Sequence, residues 1–246
     1  MCDLCGDLEH EPEVSRRSFL RTGAVAALAP WAIGAAVAAD PPAPGAPPAP
    51  NAIAPAEALK RLMDGNARYV ANTPTARDFS VGRTARVEGQ HPIAAILSCA
   101  DARLAPEFAF DEGPGDLFVA RVAGNILSPD LVASIEYGVQ FLGVPLVMVL
   151  GHSGCGAVDA AIKVMKDKAV LPGHLPELVA AIKPAVYEAK KAKSGKLLDN
   201  AIAENVKRQV ARLKQSQPII AKAYASKKID IVGAVYDIAT GKITLV

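Results

Sequence analysis

Hydrophobic positions recur through residues 55–246 with two alternating periods. Over residues 55–72, Leu59, Leu62, Met63 and Tyr69 fall on or near one helical face, which predicts a helix with Gly65 as its weak point. Residues 91–99, HPIAAILSC, form an apolar run bounded by a proline and a polar turn, the pattern of a strand covered on both faces. Residues 116–122 (DLFVARV) and 144–150 (VPLVMVL) read as a second and third strand. Between them, Ser128-Pro129 is a helix-start signal for a helix running to about Leu142. Further helices are predicted over 155–168, 175–193 and 198–215, the last with Ile202, Val206, Val210 and Leu213 at helical spacing. Residues 229–236 (IDIVGAVY) give a fourth apolar strand, and Thr240-Gly241 turns the chain into an edge strand over 242–246. Strands alternating with helices predict an α/β fold: a mostly parallel sheet of four core strands plus a C-terminal edge strand, flanked by helices.

The chain ahead of this region follows other rules. Ser15-Arg16-Arg17-Ser18-Phe19-Leu20 precedes an uncharged run from Thr22 to Ala39 that ends in small residues. Paired arginines, a modestly apolar stretch and an Ala-x-Ala end resemble a twin-arginine export signal over residues 1–39, whereas a spanning helix needs about 20 strongly apolar residues. The expectation is therefore export to the periplasm or beyond by the twin-arginine machinery, with an uncleaved membrane anchor as the alternative. Cys2 and Cys5 form a CxxC near His10 without a second pair, and they leave with the signal. Residues 40–54 are a Pro/Ala-rich linker with too little side-chain mass to pack. Residues 55–246 then form a single folded domain.

Composition narrows the function. Of 246 residues, 51% are hydrophobic and 21% charged, with a formal net charge of +2, which excludes a disordered chain and a strongly basic nucleic-acid coat. Four cysteines are too few for a disulfide scaffold, so each is asked for metal binding or chemistry instead.

Two strand ends carry that chemistry. The first strand runs into Cys99-Ala100-Asp101-Ala102-Arg103, and the third into His152-Ser153-Gly154-Cys155. Ligands of open parallel sheets bind beyond the carboxyl ends of strands, so the topology brings these segments together. Two thiolates and an imidazole suit zinc, and three protein ligands leave a fourth position open for water or substrate. A carboxylate at Asp101 can accept a hydrogen bond from such a water while Arg103 clamps it by a bidentate pair. Buried core thiols, a disulfide formed after export, Asp101 as a turn cap and Arg103 as a surface partner are the alternatives. His91 and His174 read as ordinary loop residues.

These residues resemble the β-class carbonic anhydrases, zinc enzymes that interconvert carbon dioxide and bicarbonate. The resemblance rests on Cys99-x-Asp101-x-Arg103 with His152-x-x-Cys155, and on segments including Gly65–Tyr69, Gly89–Pro92, Gly113–Val119, Ala123–Asn125, Ser134–Tyr137 and Gly233–Asp237. It implies Cys99, His152 and Cys155 as ligands of one Zn²⁺, Asp101 and Arg103 as the catalytic dyad, and Gln90, Phe118 and Tyr137 as substrate-binding residues. It also implies attack on CO₂ by zinc-bound hydroxide in a homodimer or higher oligomer, with the aromatic pair reaching across the interface. The subgroup whose aspartate can replace the water carries a tryptophan three residues before the first cysteine; Ile96 stands there, which favours the open-site subgroup. A carbonyl sulfide or carbon disulfide hydrolase on the same scaffold, and a non-catalytic zinc-stabilised module, are the competing readings.

Overall fold

A computed structural model of the chain describes residues 49–246; the export signal and most of the linker expected from the sequence lie outside the described residues. The elements run α1 (Pro55–Val70), α2 (Arg83–Glu88), β1 (Ala94–Ser98), α3 (Pro106–Ala109), β2 (Leu117–Arg121), α4 (Pro129–Gln140) and β3 (Leu146–His152). They continue with α5 (Gly156–Asp167), α6 (Leu175–Ala189), α7 (Leu197–Lys214), α8 (Ile219–Ala225), β4 (Asp230–Tyr236) and β5 (Ile243–Leu245). A 3₁₀ turn, Ala123–Asn125, follows β2. Among the described residues no helix is long and apolar enough to cross a membrane.

The five strands lie in the order β2-β1-β3-β4-β5, the first four parallel and β5 antiparallel at the edge. Every residue of β1 and β3 is buried, because helices cover both faces, and this explains their uninterrupted apolar sequences. Side chains alternate: Leu146, Met148 and Leu150 pack with Leu62 of α1 and Phe110 on one face. Val147 and Val149 pack with Ile135 of α4 and Val206 and Leu213 of α7 on the other. A third cluster sits at the carboxyl end of the sheet, where α5, α6 and α7 enclose Cys99 and Cys155.

The chain leaves β1 toward β2 on one side and returns to β3 on the other, so the carboxyl ends of β1 and β3 flank the point where the winding reverses. Such a point opens a crevice, because the connections diverge from it. β3 extends two residues past the sequence boundary, since His152 still pairs with Tyr236 of β4. Three short helices, α2, α3 and α8, have no counterpart in the sequence reading; each is four to seven residues long, under two turns of apolar period. Gly65 is a point of close approach: a Cβ there would stand 1.8 Å from the carbonyl oxygen of Phe110.

Candidate metal centre

Cys99 is the first residue after β1, His152 the last of β3, and Cys155 the residue on which α5 begins. Gly154, at φ +65°, turns the chain between the last two, so one short loop presents an imidazole and a thiol to the same point. All three side chains are buried, and their ligand atoms lie within 4.8 Å of one another. Zinc bonds of about 2.0–2.3 Å separate tetrahedral ligand atoms by roughly 3.5–3.8 Å, so a small inward adjustment completes the set. His152 Nδ1 pairs with the Ser153 carbonyl oxygen at 3.0 Å, which fixes the ring with Nε2 facing inward. That Nε2 is buried without a hydrogen-bond partner among the described residues, as a ligand nitrogen awaiting a cation would be.

The electrostatics agree. The Cys99 thiol is pulled well below the ordinary range, first by the hydrogen bond from Cys155 and against its own burial, with help from His152 and the Gly124 N–H. Cys155 is pushed up by the neighbouring Cys99 sulfur and by burial, although the Val158 and Ala157 amides at the start of α5 pull the other way. Burial pushes His152 toward the neutral form, but the neighbouring Cys99 sulfur and its charge outweigh it and raise its pKa. Two thiolates within 4.8 Å of one another repel, and both are favoured only where a cation lies between them. Zinc therefore fits this donor set.

Asp101 stands at the rim. Its Oδ1 accepts hydrogen bonds from the Arg103 backbone N–H and from Nε, both at 2.9 Å, and its Oδ2 accepts one from Nη2 at 2.7 Å. Arg103 holds the Asp101 carboxyl well below the usual carboxylate range. Oδ2 also lies 3.7 Å from His152 Nε2, so the carboxylate borders the trio without joining it.

Sequence reasoning missed Arg121. At the end of β2 it donates from Nε to the Cys99 carbonyl (3.0 Å) and from Nη2 to those of Asp101 and Leu104 (both 2.7 Å), tying down the loop that carries ligand and dyad. Its position at a strand end beside the motif strand was the available signal.

The residues expected to bind substrate are not brought to this trio within one chain. Phe118 pairs with Ala95, four residues before Cys99, or about 13 Å along the strand. Gln90 is exposed ahead of β1. Tyr137 on α4 is 47% exposed, its ring 6.2 Å from that of Phe118 and 5.3 Å from that of Phe141. Phe118 and Gln90 thus lie toward the amino end of β1, and Tyr137 stacks with Phe118 there. Ile96 is fully buried within β1, and His174 is exposed at the start of α6.

A family described as carbonic anhydrase matches residues 94–243. A carbonic anhydrase of Mycolicibacterium smegmatis is 38% identical over 192 residues, spanning 78% of this chain and 93% of that protein. The structure of Coccomyxa β-carbonic anhydrase in complex with acetazolamide superposes with a TM-score of 0.60 at 28% identity, over 76% of this chain and 86% of that one. One of two tetrameric β-carbonic anhydrases from Sordaria macrospora shares the fold at a TM-score of 0.60 and 24% identity, over 78% of this chain and 94% of that one.

Proposed function

Because the chain belongs to the β-class carbonic anhydrase family, we propose that it hydrates carbon dioxide reversibly to bicarbonate and a proton at the Cys99–His152–Cys155 centre. A zinc ion in this donor set supplies Lewis acidity, bringing the ionisation of water toward neutral pH and so providing a nucleophile. The chain's own residues do the rest. Asp101, kept ionised by Arg103, accepts a hydrogen bond from the attacking water and thereby aims a lone pair away from itself, toward substrate. Arg121 keeps that loop in register. Gln90, Phe118 and Tyr137 of a second copy would complete the site: the aromatic pair supplies an apolar wall for CO₂, and the Gln90 amide donates to the oxygen on which charge develops.

The observation that carries the open-site reading is the closed Asp101–Arg103 pair. A carboxylate satisfied on both oxygens by a guanidinium is an acceptor at the rim and has no need of a metal bond. Buried Ile96 in place of a tryptophan supports the same subgroup.

The test is stopped-flow CO₂ hydration with zinc quantified in the same sample. Asp101→Ala should keep one zinc per chain while hydration falls by about 10²–10⁴-fold. Retained activity would remove Asp101 from its role, and sulfide release from carbonyl sulfide faster than CO₂ hydration would reassign the substrate. We also propose export of the folded enzyme, supported by Ser15–Leu20 and the small residues that end at Ala39; cell fractionation finding the mature chain only in the cytoplasm would overturn that.

A further inference from the structure

Helix α7 carries a polar stripe that the catalytic reading leaves unused. Asn205, Gln209 and Arg212 fall at i, i+4 and i+7, on one face of the helix. Asn205 and Gln209 are fully buried among Ala201, Ile202, Val206 and Leu213. Burying two amides inside an apolar face is unfavourable unless each finds partners. Here they form a connected chain. Arg212 Nη1 donates to Gln209 Oε1 at 3.0 Å, Gln209 Nε2 donates to Asn205 Oδ1 at 3.1 Å, and Asn205 Nδ2 donates to the Gly124 carbonyl oxygen at 2.8 Å. The Leu127 N–H donates to Gln209 Oε1 at 3.2 Å, and its carbonyl accepts from Arg212. The amide orientations are forced, because the Leu127 N–H must face an oxygen and the Gly124 carbonyl must face a donor.

The far end of this chain meets the metal centre. Gly124, gripped at its carbonyl by Asn205, donates its own N–H to Cys99 Sγ at 3.2 Å. Its φ of +72° favours glycine, and a Cβ there would stand 2.8 Å from Ile182 Cδ1 and 3.2 Å from Ala157 Cβ, so a larger residue would be strained. The next residue, Asn125, also has positive φ. A turn in this conformation persists only where its surroundings dictate it, and the α7 amides are what reach it from beneath.

We propose that Asn205 and Gln209 are positioning residues for the metal centre, holding the Ala123–Leu127 turn so that the Gly124 N–H is aimed at the sulfur of Cys99. The proposal rests on the zinc reading above. A donor to a ligating sulfur withdraws charge from it and restrains its direction, and removing such outer partners costs about 10–100-fold in metal affinity.

Cobalt(II) substitution reads the sulfur directly through its thiolate-to-metal charge-transfer band, and transfer of zinc to a chromogenic chelator reads retention. Asn205→Leu removes the grip on Gly124, whereas Gln209→Glu keeps the acceptor for Leu127 and Arg212 but sets oxygen against oxygen at Asn205. Both should shift the charge-transfer band and speed zinc loss by about 10–100-fold, with Gln209→Glu the milder. Leu213→Ala, which opens a cavity one turn beyond Gln209 on the same helix and removes no hydrogen bond of the amide chain, should lower thermal stability and leave the band where it is. A folded Gln209→Glu protein with the unaltered band and unaltered zinc loss overturns the proposal, as does an equal shift in Leu213→Ala. A starting protein that takes up no cobalt at Cys99, His152 and Cys155 would instead sink the metal-centre reading itself.

Discussion

Asp111 is a buried carboxylate with a backbone φ of +47°, a conformation that costs a non-glycine residue unless its surroundings compensate. They do: Arg68, Arg77 and Thr75 all donate to its two oxygens. Burial alone would raise the carboxyl pKa, but these donors hold it well below the usual carboxylate range. A carboxyl with a depressed pKa binds fewer protons when folded than when unfolded. Its stabilisation is therefore complete above about pH 5 and is lost as pH falls through the folded-state pKa. Asp111→Asn should cost about 1–3 kcal/mol near neutral pH, since it leaves two partly solvated guanidinium groups without their carboxylate, and should flatten the loss of stability between about pH 5 and 2. Urea unfolding across that range measures both, and an unchanged acid slope would contradict the assignment. Arg121 teaches the companion lesson: the sequence marks the ligands and the dyad by residue type, but an arginine serving three carbonyls looks like any strand-end cation until the loop folds over it.

At the scale of elements, α7 lies across β3 and β4 because small residues in those strands admit it. A Cβ on Gly233 would stand 2.6 Å from Val206 Cγ1 and 3.2 Å from Val210 Cγ2. Gly233→Ala should therefore cost about 1–3 kcal/mol by overpacking, a fall of roughly 2–4 °C in Tm per kcal/mol for a domain of this size. Made in a Val206→Ala background, where the opposing methyl groups are gone, the same change should cost well under half as much. Calorimetry of the four proteins tests this, and simple additivity would show that Val206 is not the obstacle. The helical period of Ile202, Val206, Val210 and Leu213 is legible in sequence. Asn205 and Gln209 break that apolar face, and nothing local distinguishes a buried amide with partners from a solvent-facing one.

For the whole molecule, the separation along β1 and β2 has a consequence. The candidate ligands Cys99, His152 and Cys155 sit beyond the carboxyl end of the sheet, while Phe118 and Gln90 lie toward the amino end. One chain cannot place both at one substrate, so the proposed active site requires a second copy, with Tyr137 and Phe141 offering exposed aromatic surface for the contact. Mixed oligomers decide this. Asp101→Ala and Gln90→Leu proteins, each nearly inactive alone, should on unfolding and reassembly together recover about a quarter of normal hydration, because half of the dimers then hold one intact site of two. No recovery in verified mixed dimers would place both halves of the site in a single chain.

The five strands, the longer helices between them, and the placing of the two cysteine segments at strand ends follow from sequence, because period, strand-end position and donor chemistry are local properties that survive without coordinates. Which side chains meet is a different matter. The reversal of winding between β1 and β3 converges Cys99 with His152 and Cys155, and the packing of α7 brings Asn205 to Gly124. The lie of the strands keeps Phe118 away from its own chain's ligands. These are long-range contacts, set by how elements pack rather than by any neighbouring residue, so only the folded chain could decide them.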